Sequence, residues 1–167
     1  NIPLMTRAFT TYVRPTLEYS STTWSPSNIT QIIAVESVQR SFTKRLPGLY
    51  NLSYADRIKN LKLQSLEHRR LLADLSLTYK IINNSTCLKF ADFFSYPTCT
   101  TTRGHPLRLA VPVAKTDVRK HFFACRVVPI WNSLPAKVVQ AKTLANIKHL
   151  VRRVNLDNVL IFSTNYA

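Results

Sequence analysis

Residues 29–46 read ITQIIAVESVQRSFTKRL, and this stretch decides the fold. Ile32, Val35, Val38, Phe42 and Leu46 recur at steps of three or four, the spacing that places them on one face of a helix. Ser25-Pro26-Ser27-Asn28 ahead of it has the chemistry of a turn and a helix start, and Pro47-Gly48 behind it ends the helix. Ser53 is placed to cap a short helix from Tyr54 to Leu61, with Asp56 three residues on. Ser65 caps a longer one over 66–83, with Leu71, Leu72, Leu75, Tyr79 and Ile82 as its buried stripe. Upstream, Leu4 to Val13 has helical apolar spacing and is expected to stop at Arg14-Pro15, because a residue before proline disfavours the α region. Thr16 to Trp24 fits either a short extended segment or the continuation of a kinked helix.

Beyond Asn84 the pattern changes. Residues 85–102 are polar, anchored by Phe90, Phe93, Phe94 and Tyr96, and read as a linker with one helical turn. Leu107 to Val113, LRLAVPV, alternates and predicts a short edge strand, since Pro112 cannot donate to a central ladder. Val118 to Trp131 predicts a turn or two of helix, its regularity limited by Pro129. Thr143 caps a last helix with Leu144, Ile147, Leu150 or Val151, and Val154 facing inward. The expected fold is mainly α: a helical bundle over 1–84, the linker, and a small mixed α+β module with short strands over 103–154. Residues 155–167 form a weakly ordered tail.

The 167 residues suffice for one domain or two small ones, and 46% hydrophobic content makes the chain globular rather than disordered. Its 23 Lys and Arg against 8 Asp and Glu give a formal charge of +15, and self-repulsion on that scale calls for a polyanionic partner. Arg103, Arg108, Lys115, Arg119, Lys120 and Arg126 face a single acid, Asp117, and are interleaved with Phe122, Phe123 and Trp131. Cations mixed with aromatics suit a nucleic-acid surface. Lys44 and Arg45 close the 29–46 helix, where they serve a phosphate or the helix dipole equally well. Arg69 and Arg70 open the next helix against the dipole preference, which favours an anionic partner over pairing with Glu67 and Asp74. No membrane contact is expected.

Catalytic chemistry finds little footing. With only Gly48 and Gly104, no glycine-rich phosphate loop exists, and the scattered acids offer no carboxylate pair to hold metal ions. Cys99, His105, His121 and Cys125 lack standard zinc spacing; Cys125 reads as a core residue and His121 as a basic surface group. No cofactor or metal is expected. Cys87, Cys99 and Cys125 do not make a disulfide framework, which points to a reducing compartment. Trp131 in WNSLP reads as a core anchor rather than a base stacker, with Asn132 closing a turn. The start at Asn1, with Met5 the only methionine, suggests a fragment.

Four ordered segments resemble the carboxyl-terminal part of non-LTR (LINE, jockey-like) retrotransposon reverse transcriptases. They are YVRPTLEYSSTTWSP (12–26), ESVQRSFTKRLPGL (36–49), LSYADRIKNLKLQSLEHRRLLADLSLTYKIINN (52–84), and TRGHPLRL (102–109) through WNSLPAKVV (131–139); ANIKHLV (145–151) follows. The resemblance implies that 1–84 is the helical thumb, which grips template and primer, and that the remainder is the carboxyl-terminal extension. The family's Ala-Asp-Asp or Val-Asp-Asp palm motif and its endonuclease are missing here. The chain is therefore not expected to be an enzyme by itself. The expected partner is RNA or an RNA–DNA duplex, held through phosphates by Lys44, Arg45, Arg69, Arg70, Arg103, Arg108, Arg119, Lys120 and Arg126. The expected location is intracellular, in nuclear and cytoplasmic ribonucleoprotein. The alternative is a protein-interaction module docking on the absent palm or another partner, with Phe9, Tyr19 and Trp24 as its apolar scar.

Overall fold

The computed structural model describes residues 1–98, 104–156 and 158–161. The described residues are mainly helical and contain no strand, so the mixed module with short strands is not observed. Two compact units divide the chain. One is Asn1–Arg70 together with the segment from Leu156; the other is Leu71–Asn155. The division falls inside a helix rather than in the 85–102 stretch.

The first unit opens with α1 (Ile2–Ala8), a π-helical turn (Phe9–Val13) and α2 (Arg14–Glu18). The helix passes Pro15 instead of stopping before it. Proline removes one backbone donor and its ring crowds the carbonyl four residues back; the wider π turn just ahead gives that room. Of the two readings of 16–24, the helical continuation holds as far as Glu18. Trp24 Nε1 then donates to the Tyr19 carbonyl at 2.6 Å and ties the following turn.

Helix α3 (Ile29–Lys44) starts where Asn28 accepts a hydrogen bond from Thr30 N–H. Helix α4 (Tyr54–Asn60) starts at Ser53, whose Oγ accepts from Asp56 N–H and donates to the Asp56 carboxylate at 2.7 Å. Helix α5 (Leu66–Ile82) starts at Ser65, whose Oγ accepts from His68 N–H. All three caps were legible locally. The buried face of α3 was not. It consists of Ile32, Glu36, Gln39 and Thr43, whereas Val38 is exposed and Phe42 only half-buried.

Those polar residues form a bonded network. Tyr54 Oη donates to Glu36 Oε1 at 2.5 Å and accepts from Gln39 Nε2 at 2.9 Å. Leu66 N–H donates to both Glu36 oxygens, at 3.1 and 2.9 Å, so the carboxylate caps α5 from another helix. Gln39 Nε2 also donates to the Gln64 carbonyl, and buried Arg57 donates to Thr43 Oγ1 and to the Leu52 carbonyl. Burial raises the Glu36 pKa, opposed by the bonds from Tyr54 and Leu66 and by Arg70. Burial, with the adjacent Glu36 carboxylate, keeps the Tyr54 hydroxyl protonated far beyond the ordinary tyrosine range.

In the second unit, α5 continues with Leu71, Leu72, Leu75, Tyr79 and Ile81 buried. After it come α6 (Phe90–Phe93), α7 (Asp117–Lys120), α8 (Phe123–Ser133), α9 (Ala136–Val139) and α10 (Leu144–Val151). Helix α8 turns Phe123, Ala124, Val127, Val128 and Trp131 inward and leaves Pro129 on its exposed side, so the proline does not break it. Thr143 caps α10 by accepting from Asn146 N–H, with Ile147 buried as expected and Val151, of the two alternatives at that turn, the buried one. Tyr79 Oη donates to the Ala141 carbonyl at 2.7 Å.

The expected strand at 107–113 is not formed: Leu107 lies in a turn and residues 108–113 have no regular secondary structure. The Asn132 side chain takes the place of a neighbouring strand: Leu109 N–H donates to its Oδ1 at 2.9 Å, and its Nδ2 donates to the Leu109 carbonyl at 2.8 Å. Asn132 therefore holds a distant backbone rather than closing its own turn. Trp131 is fully buried, and its Nε1 donates to the Leu107 carbonyl. His105 Nε2 meets the Trp131 carbonyl at 3.0 Å. Residues 105–109 and the Trp131-Asn132 pair thus form one bonded corner. The backbone favours glycine at position 104, whose φ is +108°; the Arg108 side chain crosses it, 2.9 Å from where a Cβ would lie. Of the tail, residue 157 and residues 162–167 lie outside the described residues. Leu156 and Leu160 are buried, and Ile161 N–H donates to Glu67.

Candidate nucleic-acid interface

The second unit carries most of the charge. Residues 71–155 hold 13 Lys and Arg against 3 acids, a net of +10. Two of those acids are already engaged. Asp74, buried on α5, receives Arg126 through Nε at 2.8 Å and Nη2 at 3.0 Å. Asp117 receives Lys120 Nζ at 2.8 Å on an exposed face.

The nine expected phosphate contacts separate by environment. Lys44 and Arg45 are exposed at the end of α3, as both of their readings require. Arg119 and Lys120 are exposed on α7, beside exposed Lys115 and His121. Arg69 is held by a bidentate pair with Glu18, its Nη2 at 2.9 Å from Oε2, and that bond raises its pKa. Neither Glu67 nor Asp74 takes this role. Arg70 is 2% exposed, so the dipole argument for a partner at the surface fails for it; its charge acts on buried Glu36. Arg108 is half-buried against Gly104. Arg126 spends its guanidinium on Asp74 and on the His121 carbonyl, so it is a structural residue. Arg103 lies outside the described residues. In the second unit Lys115, Arg119, Lys120 and His121 are exposed as a short basic row over 115–121 on and around α7, and Lys89, Lys137, Lys142, Arg152 and Arg153 are exposed elsewhere in the same unit.

Thr116 starts α7, its hydroxyl accepting from Arg119 N–H. The next residues place Arg119 Cζ 4.6 Å from the centroid of the Phe122 ring. Phe122 lies parallel to Phe93, with centroids 6.5 Å apart and planes 1° apart, and Phe93 meets Phe123 edge-on at 6.1 Å. The sequence contains these aromatics, but nothing local reveals that Arg119 sits over one of them.

Among the described residues no group of three or more His, Cys, Asp or Glu could hold a metal ion, and no helix is long and apolar enough to cross a membrane. Of the four zinc candidates, Cys99 lies outside the described residues, and His105 is buried against Trp131. A separate apolar cleft in the first unit is lined by Met5, Ala8, Phe9, Tyr12, Val13 and Phe42. Phe9 is 4% exposed and stacks on Phe42 at 4.2 Å, so it forms the floor of that cleft rather than an exposed scar. Tyr19 and Trp24 are exposed as expected. Compared with family models, curated proteins and solved structures, the chain finds no match in any of the three.

Proposed function

We propose that this chain is the noncatalytic carboxyl-terminal part of a non-LTR retrotransposon reverse transcriptase, binding RNA or a template–primer duplex through phosphate contacts. The observation that carries this reading is the +10 charge of residues 71–155, with Asp74 and Asp117 already bonded to Arg126 and Lys120. A field of that sign attracts a polyanion. The ordered resemblance of 12–26, 36–49, 52–84 and 102–139 supplies the family. On this reading Lys44, Arg45, Lys115, Arg119 and Lys120 meet phosphates, and Arg57, Arg69, Arg70 and Arg126 hold the fold. Catalysis belongs to a palm outside these residues, and the working location is a ribonucleoprotein in cytoplasm and nucleus. The test is binding of a labelled RNA–DNA hybrid against salt, with single strands and duplex DNA as competitors.

A second reading, a protein-interaction module, is favoured by the apolar cleft, where Tyr12 is 78% exposed beside exposed Met5 and Val13. It requires self-association that an added palm domain relieves; a monodisperse monomer without palm affinity excludes it.

A further inference from the structure

We propose that the Arg119–Phe122 pair is a base-stacking platform, so that the strand held at α7 presents unpaired bases there. The inference rests on the nucleic-acid reading and narrows it, since phosphate contacts alone do not distinguish a duplex from a single strand.

Four observations converge on it. First, Arg119 is exposed and stands over the Phe122 ring at 4.6 Å. Second, its nearest acid in sequence, Asp117, is bonded to Lys120, and Arg119 makes no ion pair among the described residues. A guanidinium that could turn to a carboxylate is instead placed on an aromatic face. Third, Phe122 is 38% exposed, and its ring is fixed parallel to Phe93. The platform is therefore formed before any ligand arrives, which lowers the ordering cost of binding. Fourth, a second exposed ring belongs to the same row. Tyr96, 54% exposed, stacks on Phe90 at 4.8 Å, and Phe90 connects through Phe94 to Phe93.

The chemistry follows from the faces on offer. Bases in a duplex are covered on both faces by their neighbours. Unpaired bases offer a π face to an aromatic ring or to an arginine plane. Lys115 and Lys120, exposed on either side of Arg119 in the sequence, supply phosphate contacts at the same place.

The test uses the full chain and three labelled probes: a single-stranded oligouridylate, an abasic strand of equal length, and an RNA duplex. The wild type is expected to bind the base-bearing strand about tenfold or more tightly than the abasic strand, the effect of stacking one or more bases. Arg119→Lys keeps the charge and loses the planar group; Phe122→Leu keeps apolar packing and loses the ring. Both should bring that ratio close to one without changing the salt slope, while Phe122→Trp should retain it. Equal wild-type affinity for the abasic and base-bearing strands overturns the platform and leaves phosphate binding standing. An unchanged ratio in Arg119→Lys also overturns it, and because Arg119 is exposed this variant does not depend on core packing. Failure of the wild type to bind any probe at low salt removes the underlying nucleic-acid reading as well.

Discussion

Removing one oxygen tests the polar core of the first unit. Tyr54→Phe keeps the ring, its packing beside Ile32, Ile33 and Ile58, and the two guanidinium groups of Arg40 and Arg57 near its faces. It deletes the bond donated to Glu36 and the bond accepted from Gln39. A hydrogen bond to a charged group contributes about 1.5–3 kcal/mol and a neutral one about 1 kcal/mol. Gln39 keeps its second acceptor, the Gln64 carbonyl, so the neutral loss is partly offset. The sum is about 2–3 kcal/mol, a factor of about 30–150 in the folding equilibrium. For a chain of this size the melting midpoint should fall by roughly 5–10 °C. Urea denaturation followed by far-ultraviolet circular dichroism reads the change directly. A double-mutant cycle with Glu36→Gln should show strong non-additivity, because both residues act through one bond. A cost below about 0.5 kcal/mol would mean that Tyr54 acts through its ring alone, and the network argument would fail.

The same network predicts a pH dependence. Burial raises the Glu36 pKa above its ordinary value, so its contribution is fully present below the unfolded glutamate pKa and is lost as pH rises through the raised folded value. The stability advantage of wild type over Glu36→Gln should therefore shrink from acid toward neutral pH; an advantage that grows with pH would show that the bonds from Tyr54 and Leu66 outweigh desolvation. Arg126→Ala removes the bidentate guanidinium from the buried Asp74 carboxylate and should cost about 1.5–3 kcal/mol, measured by denaturation, with reduced nucleic-acid affinity only where the fold is lost. Asn132→Ala removes both bonds to the Leu109 backbone and should destabilise by about 1–3 kcal/mol, with accelerated amide exchange at Leu109 and unchanged affinity for nucleic acid.

Local signals were legible and non-local ones were not. Asn28, Ser53, Ser65 and Thr143 cap helices because their side chains reach backbone donors two or three residues away, and that distance is written in the sequence. Glu36 and Gln39 fall outside the apolar stripe, and their partners lie far along the chain, Tyr54 at 18 and 15 residues and Leu66 N–H at 30 from Glu36. Apolar periodicity therefore places Ile32 and Leu46 correctly, includes the exposed Val38, and misses Glu36, Gln39 and Thr43. Pro15 reads as a helix stop and Pro129 as a limit on regularity; the helix passes Pro15 behind a π turn, and α8 runs through Pro129. The same blindness affected the candidate site. Charge count identified the basic 103–126 stretch, but not that Arg126 is used up by Asp74 from 52 residues away. Arg70 shows the converse, a cation whose burial follows from the tertiary fold and not from its neighbours.

On the proposed reading, the exposed cations around α7 form an organised phosphate-binding surface. Its most direct test is the salt dependence of affinity for a labelled RNA–DNA hybrid, measured for wild type and for Arg119→Ala with Lys120→Ala. A wild-type slope equivalent to about three or more phosphate contacts is expected, reduced by about one to two in the double variant at every sequence tried. A flat salt dependence, or a slope and affinity untouched by the double variant, would contradict it.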